Sequence, residues 1–512
     1  MIDTLQPLLV AFVLAMVFRG FVVEGFVIPT GSMAPTLLGQ HMLLTSSQTG
    51  MTTAVGLDAR RPPTKEQLHN LHDFTVGRNE LLPLKKSHLR TRAGDRVLVL
   101  KTLYPFRSPD RWDVTVFRNP TQPEGAAANY IKRLVGLPGE SIWIVDGDLF
   151  IKGPDDDTFT VARKPAHVQA GVWQRLNDGG RPPARPDALS EDTTPPWTPV
   201  PADAWIHEGT AWRHEVSTAA SLTWNDRRIP LDDLVTYNMF LPVPAYPVSD
   251  LRIGAAVTVG EGGQVEFELA ARSHIFRFII STNGTGIEMS RADDPFVLIE
   301  SVFDKGHSLT AGVATRVEIE HRDQQAFIRL DSDIVASIQY DWSPRQRLEY
   351  SRGLIDSAMS DWELTKLNPQ SPRMRWLVSG TPATIASITV DRDLFYRRDL
   401  LRQNATTHTP DTDRAGEVRP GQPGAATSPD SIITLKDDQY FMLGDNSGRS
   451  NDGRLWGWPH PLVAELVDPD PFVVNEDLLV GKAFVVYYPA AHPVTEGGMG
   501  LVPNFGRLRF IR

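Results

Sequence analysis

Residues 129–153 read NYIKRLVGLPGESIWIVDGDLFIKG. Apolar and polar side chains alternate along this stretch, and glycine and proline interrupt the alternation. Such a period of two is typical of β-strands, and glycine and proline favour the turns that join them. Segments 92–104 and 111–120 have the same character. The sequence therefore predicts a mainly β protein in this region.

Two later regions repeat the strand pattern. Six strand-like segments follow one another between residues 206 and 400, the first of them LRIGAAVTV (251–259), and further strands begin after residue 432. Regular short strands with few helices favour an antiparallel sandwich for 206–400. We therefore expect one discontinuous β domain with a β-sandwich inserted into one of its loops, because insertion is tolerated where loop ends lie close together.

Composition places the boundaries between these units. Residues 179–205 are rich in proline, which predicts a linker, and residues 402–431 contain almost no large apolar side chain, which predicts disorder. The predicted units are a membrane anchor (1–27), the first part of the β domain (28–153), a proline-rich linker (154–205), the inserted sandwich (206–400), a disordered linker (401–431) and the second part of the β domain (432–512).

The overall composition excludes several classes of function. The 512 residues carry a formal net charge of −10, which argues against a nucleic-acid-binding protein, because such a protein needs a basic surface. The chain contains no cysteine, so disulfides, zinc fingers and thiol nucleophiles are excluded. Nothing in the sequence indicates a cofactor or a metal site.

An apolar run from residue 7 to residue 28 predicts a membrane anchor. Only Arg19 and Glu24 carry charge within it, and its length just suffices to cross a hydrocarbon core of ~30 Å. The uninterrupted part, 8–18, is short enough for a signal peptide, but no small-residue cleavage site follows it. A buried core helix is the alternative. Charge does not determine the orientation, because the N-terminal flank has no lysine or arginine.

Lys132 is a candidate general base. The alternation places it between Tyr130 and Leu134 on one face of a strand, and places Arg133 on the other face, where it can reach water. A free lysine is only roughly 0.04% neutral at pH 7. Burial of its face would lower the pKa and provide a neutral amine. The alternative is an ordinary edge lysine that extends into solvent.

Ser32 is a candidate nucleophile in GFVIPTGSMAPTLLG (25–39). The G-x-S-x-G elbow is absent, because position 34 is Ala34, and a serine after glycine is commonly only a turn residue. No histidine lies within the stretches that carry the candidate residues. A Ser-His-Asp triad is therefore disfavoured, whereas a Ser-Lys pair needs no histidine.

A polar stretch near the C-terminus supplies possible partners. Residues 444–457 read GDNSGRSNDGRLWG. Asp452 and Arg454 are spaced so that they can pair and fix a loop, and Ser450 can hydrogen-bond an amine. Alone, this stretch would be a polar loop.

Taken in order, IPTGSMAPTL, RWDVTVFRNP, YIKRLVGLPGE and GDNSGRSNDGR closely resemble the sequence boxes of type I signal peptidases, the membrane-anchored Ser-Lys proteases that remove leader peptides. The resemblance covers the anchor and about 28–40, 92–153 and 432–512. It departs from the family pattern at Gly448-Arg449 and Gly453, and the inserted region is far larger than usual.

The resemblance implies a role for each matching residue. Ser32 is the implied nucleophile and Lys132 the implied general base. The Thr30 hydroxyl and the Ser32 amide form the implied oxyanion hole, and Ser450 orients the lysine amine. The implied structural pair is Asp452 with Arg454. The implied substrate pocket is lined by Phe26, Ile28, Met33, Leu37, Tyr130 and Ile131.

The resemblance also implies a function and a location. The expected activity is removal of signal peptides from exported preproteins, after small residues in Ala-x-Ala sequences. The expected location is the cytoplasmic membrane, in contact with lipid, with a single span and the catalytic domain on the outer side. The strands of 206–400 are similar to concanavalin- or laminin-G-like sandwiches, so an envelope polymer or protein is a further possible partner.

Two alternatives remain open. One is a self-cleaving Ser-Lys repressor protease of the LexA type, which the apolar N-terminus and the absence of a DNA-binding helix pair disfavour. The other is a membrane-anchored binding protein in which the sandwich acts and the protease core is a relict. The peptidase hypothesis predicts that a chain without residues 180–430 retains cleavage, and the binding-protein hypothesis predicts no turnover.

Overall fold

The computed structural model of the chain is mainly β, as predicted. It describes residues 9–13, 16, 20, 22–46, 49–57, 63–69, 71–72, 91–125, 128–180, 196–240, 244–493, 501–502 and 504–511. The predicted anchor (1–27) and the predicted proline-rich linker (154–205) therefore lie partly outside the described residues.

Sheet A holds both parts of the predicted β domain. It is antiparallel, and its strand order interleaves segments from the two ends of the chain. Its strands, in spatial order, are Val23–Val27, Arg96–Leu100, Leu479–Tyr488, Val114–Arg118, Asn129–Gly136, Gln439–Leu443 and Val474–Asn475, and Arg509–Phe510 pairs with Leu479–Tyr488.

Smaller sheets extend this part of the molecule. Sheet D consists of Ile433–Thr434, Ser141–Val145, Asp148–Lys152 and Thr160–Val161. Two strand pairs are formed by His41–Thr45 with Thr52–Gly56 and by His492–Pro493 with Leu501–Val502.

Two antiparallel sheets form the inserted region and share one hydrophobic core, in which Trp376 and Phe267 of one sheet are buried in the same cluster as Val257 of the other. Sheet B consists of Ile206–Glu208, Ala211–His214, Ala383–Arg392, Leu251–Val259, Thr315–Arg322, Gln325–Leu330 and Asp333–Gln339, with Gln174–Asp178 also paired to Ala383–Arg392. Sheet C consists of Trp197–Val200, Ala220–Trp224, Arg373–Ser379, Gln264–Ala271, His274–Ser281, Gly284–Arg291 and Leu298–Asp304. The concanavalin- or laminin-G-like assignment stays a prediction.

Helices are short in the described part of the chain. The α-helices are Lys65–His69, Ala166–Val172, Pro344–Ser351, Asp361–Lys366 and Pro461–Leu466. The 3₁₀ turns are Ala202–Ala204, Thr236–Asn238, Gln403–Thr406, Asp413–Glu417, Pro429–Ser431, Ser447–Arg449, Glu476–Leu478 and Phe505–Arg507.

Both predicted linkers differ from the structure. Within 154–205, strands Gln174–Asp178 and Trp197–Val200 belong to the sheets of the inserted region. Residues 401–431, predicted to be disordered, form turns and bury Leu401 in the core of the β domain. Composition misses this order because most of the residues that this segment buries are small, such as alanine.

The end of the predicted anchor is also different. Val23–Val27 forms an edge strand of sheet A, paired with Arg96–Leu100, and Glu24 makes an ion pair with Lys101. An apolar run with β-branched residues fits a strand as well as a helix, which explains the error. Among the residues that the structure describes, no helix is long and apolar enough to span a bilayer.

Candidate active site

The side chains of Ser32 and Lys132 meet, although 100 residues separate them in sequence. Lys132 Nζ lies 2.8 Å from Ser32 Oγ and donates a second hydrogen bond to the Ile131 carbonyl at 3.0 Å. Both side chains are enclosed, since Ser32 is 8% exposed and Lys132 is 3% exposed. A hydroxyl and an amine are thus held within proton-transfer distance in a nearly dry site.

Sheet A explains why Lys132 is buried. Its strand, Asn129–Gly136, lies between two others, and Lys132 is paired with Thr115 on the neighbouring strand. Its Nζ lies 4.9 Å from the centre of the Tyr130 ring, on the face that the alternation predicts. The side chain therefore has an interior position, and the edge-lysine alternative does not describe it.

Burial changes the acidity of Lys132. Loss of solvation lowers the pKa of its ammonium from 10.5 to about 8, although the carboxylates of Asp452 and Asp445 oppose this change. At that value about one amine in ten is neutral at pH 7, which is a gain of more than two orders of magnitude over a free lysine. The site can therefore supply a general base near neutral pH.

Asp95 holds both ends of residues 28–38, which carry the candidate nucleophile Ser32 and are called the nucleophile segment below. The Asp95 carbonyl accepts from the Ile28 amide at 2.9 Å, and its carboxylate accepts from the Leu38 amide at 3.0 Å. Asp95 is fully buried. The sequence analysis did not identify this residue, because its partners lie more than fifty positions away.

Asn446 holds the backbone at Ser32 itself. Its amide N–H donates to the Ser32 carbonyl at 3.0 Å, and its side-chain Nδ2 donates to the Gly31 carbonyl at 2.9 Å. Gly444 lets the two segments approach, because a side chain there would collide with the Ser32 carbonyl and with Ser450 Oγ. The loop 444–450 thus lies directly against the nucleophile segment.

Ser450 is buried in this loop, but its predicted contact is not observed. Ser450 Oγ has no hydrogen-bond partner among the described residues. The hydrogen bonds of Lys132 Nζ within the same part of the chain go to Ser32 and Ile131. The lysine-orienting role of Ser450 stays a prediction.

Two buried ion pairs lie in this region. Asp452 and Arg454 form a bidentate pair at 2.8 and 2.9 Å, with both side chains fully buried. Arg133 and Asp445 form a second, at 2.7 and 2.8 Å. The expectation that Arg133 reaches water was therefore wrong. Both faces of its strand are covered, and alternation alone cannot detect that.

The six predicted pocket residues fall into two groups. Ile28, Met33 and Leu37 are fully buried in one cluster beneath sheet A. Phe26, Tyr130 and Ile131 are partly buried at the margins of hydrophobic clusters. The residue predicted for the oxyanion hole, Thr30, is exposed. The roles of these residues toward a substrate stay predictions.

A cavity of about 550 Å³ lies on another side of the nucleophile segment. Pro35 and Leu38 line it from that segment, and Ile229 and Asn238 line it from the inserted region. Ser32 and Lys132 are not among its lining residues. The cavity therefore lies at the boundary between the two regions and not at Ser32 and Lys132.

Comparison with known proteins identifies a related family. Residues 83–204 match the family model described as signal peptidase, peptidase S26. This segment contains Lys132 but not Ser32 or the 444–457 stretch. The chain is also similar to signal peptidase I of Pseudomonas fluorescens, with 30% identity over 158 residues, which are 28% of this chain and 52% of that protein. Signal peptidase I of Pseudomonas aeruginosa is 26% identical over 224 residues, or 43% of this chain and 61% of that protein.

The matches confirm the resemblance seen in the sequence, and they support assignment to the serine peptidase class of hydrolases. The chain spans 38 to 61% of the length of the first three curated relatives that it matches.

Among solved structures, the carbohydrate-binding module CBM66 of Bacillus subtilis covers 38% of this chain at 9% identity, with 95% of the module aligned and a TM-score of 0.23. A similarity this weak carries no argument about the inserted region.

Proposed function

We propose that this chain, a hydrolase related to the type I signal peptidases, is a membrane-bound endopeptidase that removes signal peptides from exported preproteins. The observation that carries the proposal is the 2.8 Å contact between Lys132 Nζ and Ser32 Oγ in a buried site. A nucleophile and a base that touch, with the pKa of the base lowered toward neutrality, are the minimum requirement for covalent catalysis without histidine.

The geometry supports a two-step hydrolysis. Neutral Lys132 takes the proton of Ser32 Oγ as that oxygen bonds to the scissile carbonyl carbon. The resulting ammonium then protonates the leaving amine, the C–N bond breaks, and an acyl-enzyme remains on Ser32. In the second step Lys132 takes a proton from a water molecule as that water attacks the acyl carbon. The ester C–O bond then breaks, and the Lys132 ammonium returns the proton to the released Ser32 oxygen.

Substrate binding completes the proposal. The Ser32 amide and the Thr30 hydroxyl are the proposed donors to the oxyanion, and a donor in such a position typically contributes about 3–4 kcal/mol to transition-state stabilisation. Thr30 is exposed, so its hydroxyl is accessible to a substrate that approaches Ser32. The apolar residues Phe26, Tyr130 and Ile131 at the margin of the site favour small side chains before the cleaved bond.

Membrane attachment is proposed from the N-terminal segment. Its described residues include five large apolar side chains that are about half exposed or more, and no hydrophobic cluster of the structure contains them. These are Leu9, Val10, Phe12, Val13 and Met16. A lipid phase would cover this surface. We propose a single anchor there, with the catalytic site on the outer side of the cytoplasmic membrane.

The test is cleavage of a preprotein by the full-length protein in detergent, with the product mass identifying the cut. We expect wild type to cleave after a small residue. Ser32→Ala and Lys132→Ala should each lose at least ~10³-fold in rate, because neither half of a coupled nucleophile–base pair works alone. Undiminished cleavage by the Lys132 variant would contradict the mechanism.

Deletion of residues 180–430, the test that the sequence suggests, is unsuitable. It would remove Leu401 and Ala425 from the core that contains Phe441 of sheet A. It would also remove Asn238, which contacts the loop beside Ser32. Loss of cleavage by such a chain would therefore not favour the binding-protein alternative.

A further inference from the structure

A connection within the inserted region reaches the segment that carries Ser32. Residues 225–250 join sheet C to sheet B, and the 3₁₀ turn Thr236–Asn238 lies at the middle of this connection. Tyr237 and Asn238 of the turn are buried, with 1% and 4% exposure. The inserted region therefore sends two side chains into the neighbourhood of the nucleophile.

Asn238 pairs with the residue that holds the nucleophile backbone. Asn238 Nδ2 donates to Asn446 Oδ1 at 2.6 Å, and Asn446 Nδ2 donates to Asn238 Oδ1 at 2.9 Å. The same Asn446 Nδ2 donates to the Gly31 carbonyl at 2.9 Å, and the Asn446 amide donates to the Ser32 carbonyl. Both Nδ2 hydrogens and the Oδ1 of Asn446 are therefore used, and Asn238 fixes its orientation.

Tyr237 supports the same segment from an adjacent position. Its hydroxyl donates to the Gln40 carbonyl at 2.9 Å, which lies just beyond the nucleophile segment. Its ring lies so close to Gly31 and Gly56 that any side chain at either position would collide with it. The Arg449 guanidinium, 5.3 Å from the centre of the ring, covers Tyr237 from the side of the 444–450 loop.

We propose that Asn238 is a positioning residue for Ser32, so that the inserted region completes the peptidase site. The proposal rests on the proposed function and extends it to a residue outside the segments that resemble the family. Without Asn238, the buried Oδ1 and one Nδ2 hydrogen of Asn446 would lose their partners, and the side chain could turn away from Gly31. A displacement of about 1 Å at a nucleophile can cost roughly 10²-fold in rate.

The experiment compares Asn238→Ala, Asn446→Ala and the double variant in the full-length protein. The matched control is Asn225→Ala, in the same connection, whose side chain accepts a hydrogen bond from the Arg228 amide at 3.3 Å. For Asn238→Ala we expect kcat to fall about 10- to 100-fold with KM within about threefold of wild type. The double variant should be no slower than Asn446→Ala, because the two residues act in series.

The pH profile and the control variant distinguish a positioning role from a merely structural one. The kinetic pH profile of Asn238→Ala should keep the wild-type inflection, because the hydrogen bonds described for the Asn238 side chain go to Asn446 and those described for Lys132 Nζ go to Ser32 and Ile131. Asn225→Ala should cleave as wild type does. A kcat for Asn238→Ala within twofold of wild type would overturn the proposal. Strictly multiplicative losses in the double variant would do the same.

Amide hydrogen exchange keeps the test independent of cleavage. Peptides that cover residues 28–40 should exchange faster in Asn238→Ala than in Asn225→Ala, whether or not the wild type cleaves the chosen preprotein. Equal exchange in the two variants would overturn the positioning role. Absence of cleavage by wild type, with faster exchange in Asn238→Ala, would instead count against the proposed function alone.

Discussion

The amine of Lys132 is fully enclosed, and its hydrogen-bond partners in the described part of the chain, Ser32 Oγ and the Ile131 carbonyl, are both uncharged. Such a position lowers stability, because folding strips solvent from a cation without giving it an adjacent anion. Catalytic groups are often placed at this kind of cost. The proposed catalytic role of Lys132 would explain why the fold accepts this cost.

Replacing Lys132 with methionine should abolish cleavage without lowering the melting temperature. The pKa of Lys132 is about 8 in the folded state, against 10.5 for the free side chain. This difference limits the stability that the substitution can gain near neutral pH to about 3 kcal/mol. Thermal unfolding followed by calorimetry measures the effect. A marked loss of stability in Lys132→Met would contradict the account.

Arg133→Met is the matched control for that experiment. It lies one residue away and is equally buried, but it is paired with Asp445. Its removal leaves a buried carboxylate without its counterion, which typically costs about 3–5 kcal/mol. The two neighbouring substitutions should therefore move the melting temperature in different directions.

The pH dependence of cleavage should follow the neutral fraction of Lys132. Because the base must be deprotonated, kcat/KM should rise about tenfold per pH unit in acid and level off above a pH of about 8.

The contribution of Lys132 to the free energy of unfolding also increases with pH. The folded state binds fewer protons than the unfolded state between about 8 and 10.5, so the free energy of unfolding rises with pH in that window.

At the scale of elements, the nucleophile segment 28–38 has no regular secondary structure of its own and depends on Asp95. Asp95→Ala removes the carboxylate that accepts from the amides of Leu38 and Ala490. We expect a loss of about 2–3 kcal/mol in the free energy of unfolding, because buried amides would lose their acceptor. Cleavage should fall as well, since Ser32 lies at the centre of the segment.

The control for Asp95→Ala is Asp110→Ala. Asp110 is solvent-exposed and pairs with Arg107 on the surface. Urea unfolding of the two variants provides the comparison, and Asp110→Ala should unfold as wild type does. Equal stabilities of the two variants would show that the Asp95 contacts do not hold the segment.

Strands of the inserted region could be predicted closely, whereas loop contacts could not. Leu251–Val259 was predicted with its observed bounds, because its alternation records a single buried face. The positions of Ser32 and Lys132 followed from local motifs. The contact of Asn238 with Asn446 joins two loops 208 residues apart, and no local pattern encodes such a contact.

At the scale of the whole molecule, buried ion pairs join the inserted region to the β domain. Asp146, in the turn between two strands of sheet D, accepts from Arg272 at 2.8 Å and from Arg347 at 3.0 Å. Arg272 also pairs with Asp250. Since these four side chains are nearly inaccessible to water, the two regions should unfold together.

Calorimetry tests this coupling. Wild type should show one main unfolding transition, and Arg272→Met should lower the free energy of unfolding by about 3–5 kcal/mol, because it removes one of the two buried cations that Asp146 and Asp250 share and leaves them only Arg347 of that pair. Arg291→Met, which removes an exposed pair with Asp293, is the control and should have little effect. Two well-separated wild-type transitions would contradict the coupling.

The central claim is that a buried Lys132 amine, about half of it deprotonated at a pH of about 8, activates Ser32. An NMR titration of protein labelled with ¹³C at lysine Cε measures this acidity directly, and Lys132→Arg identifies the signal. We predict a pKa of about 8 that coincides with the inflection of kcat/KM. A lysine that titrates near its ordinary value of about 10.4, with a kinetic inflection elsewhere, would contradict the account.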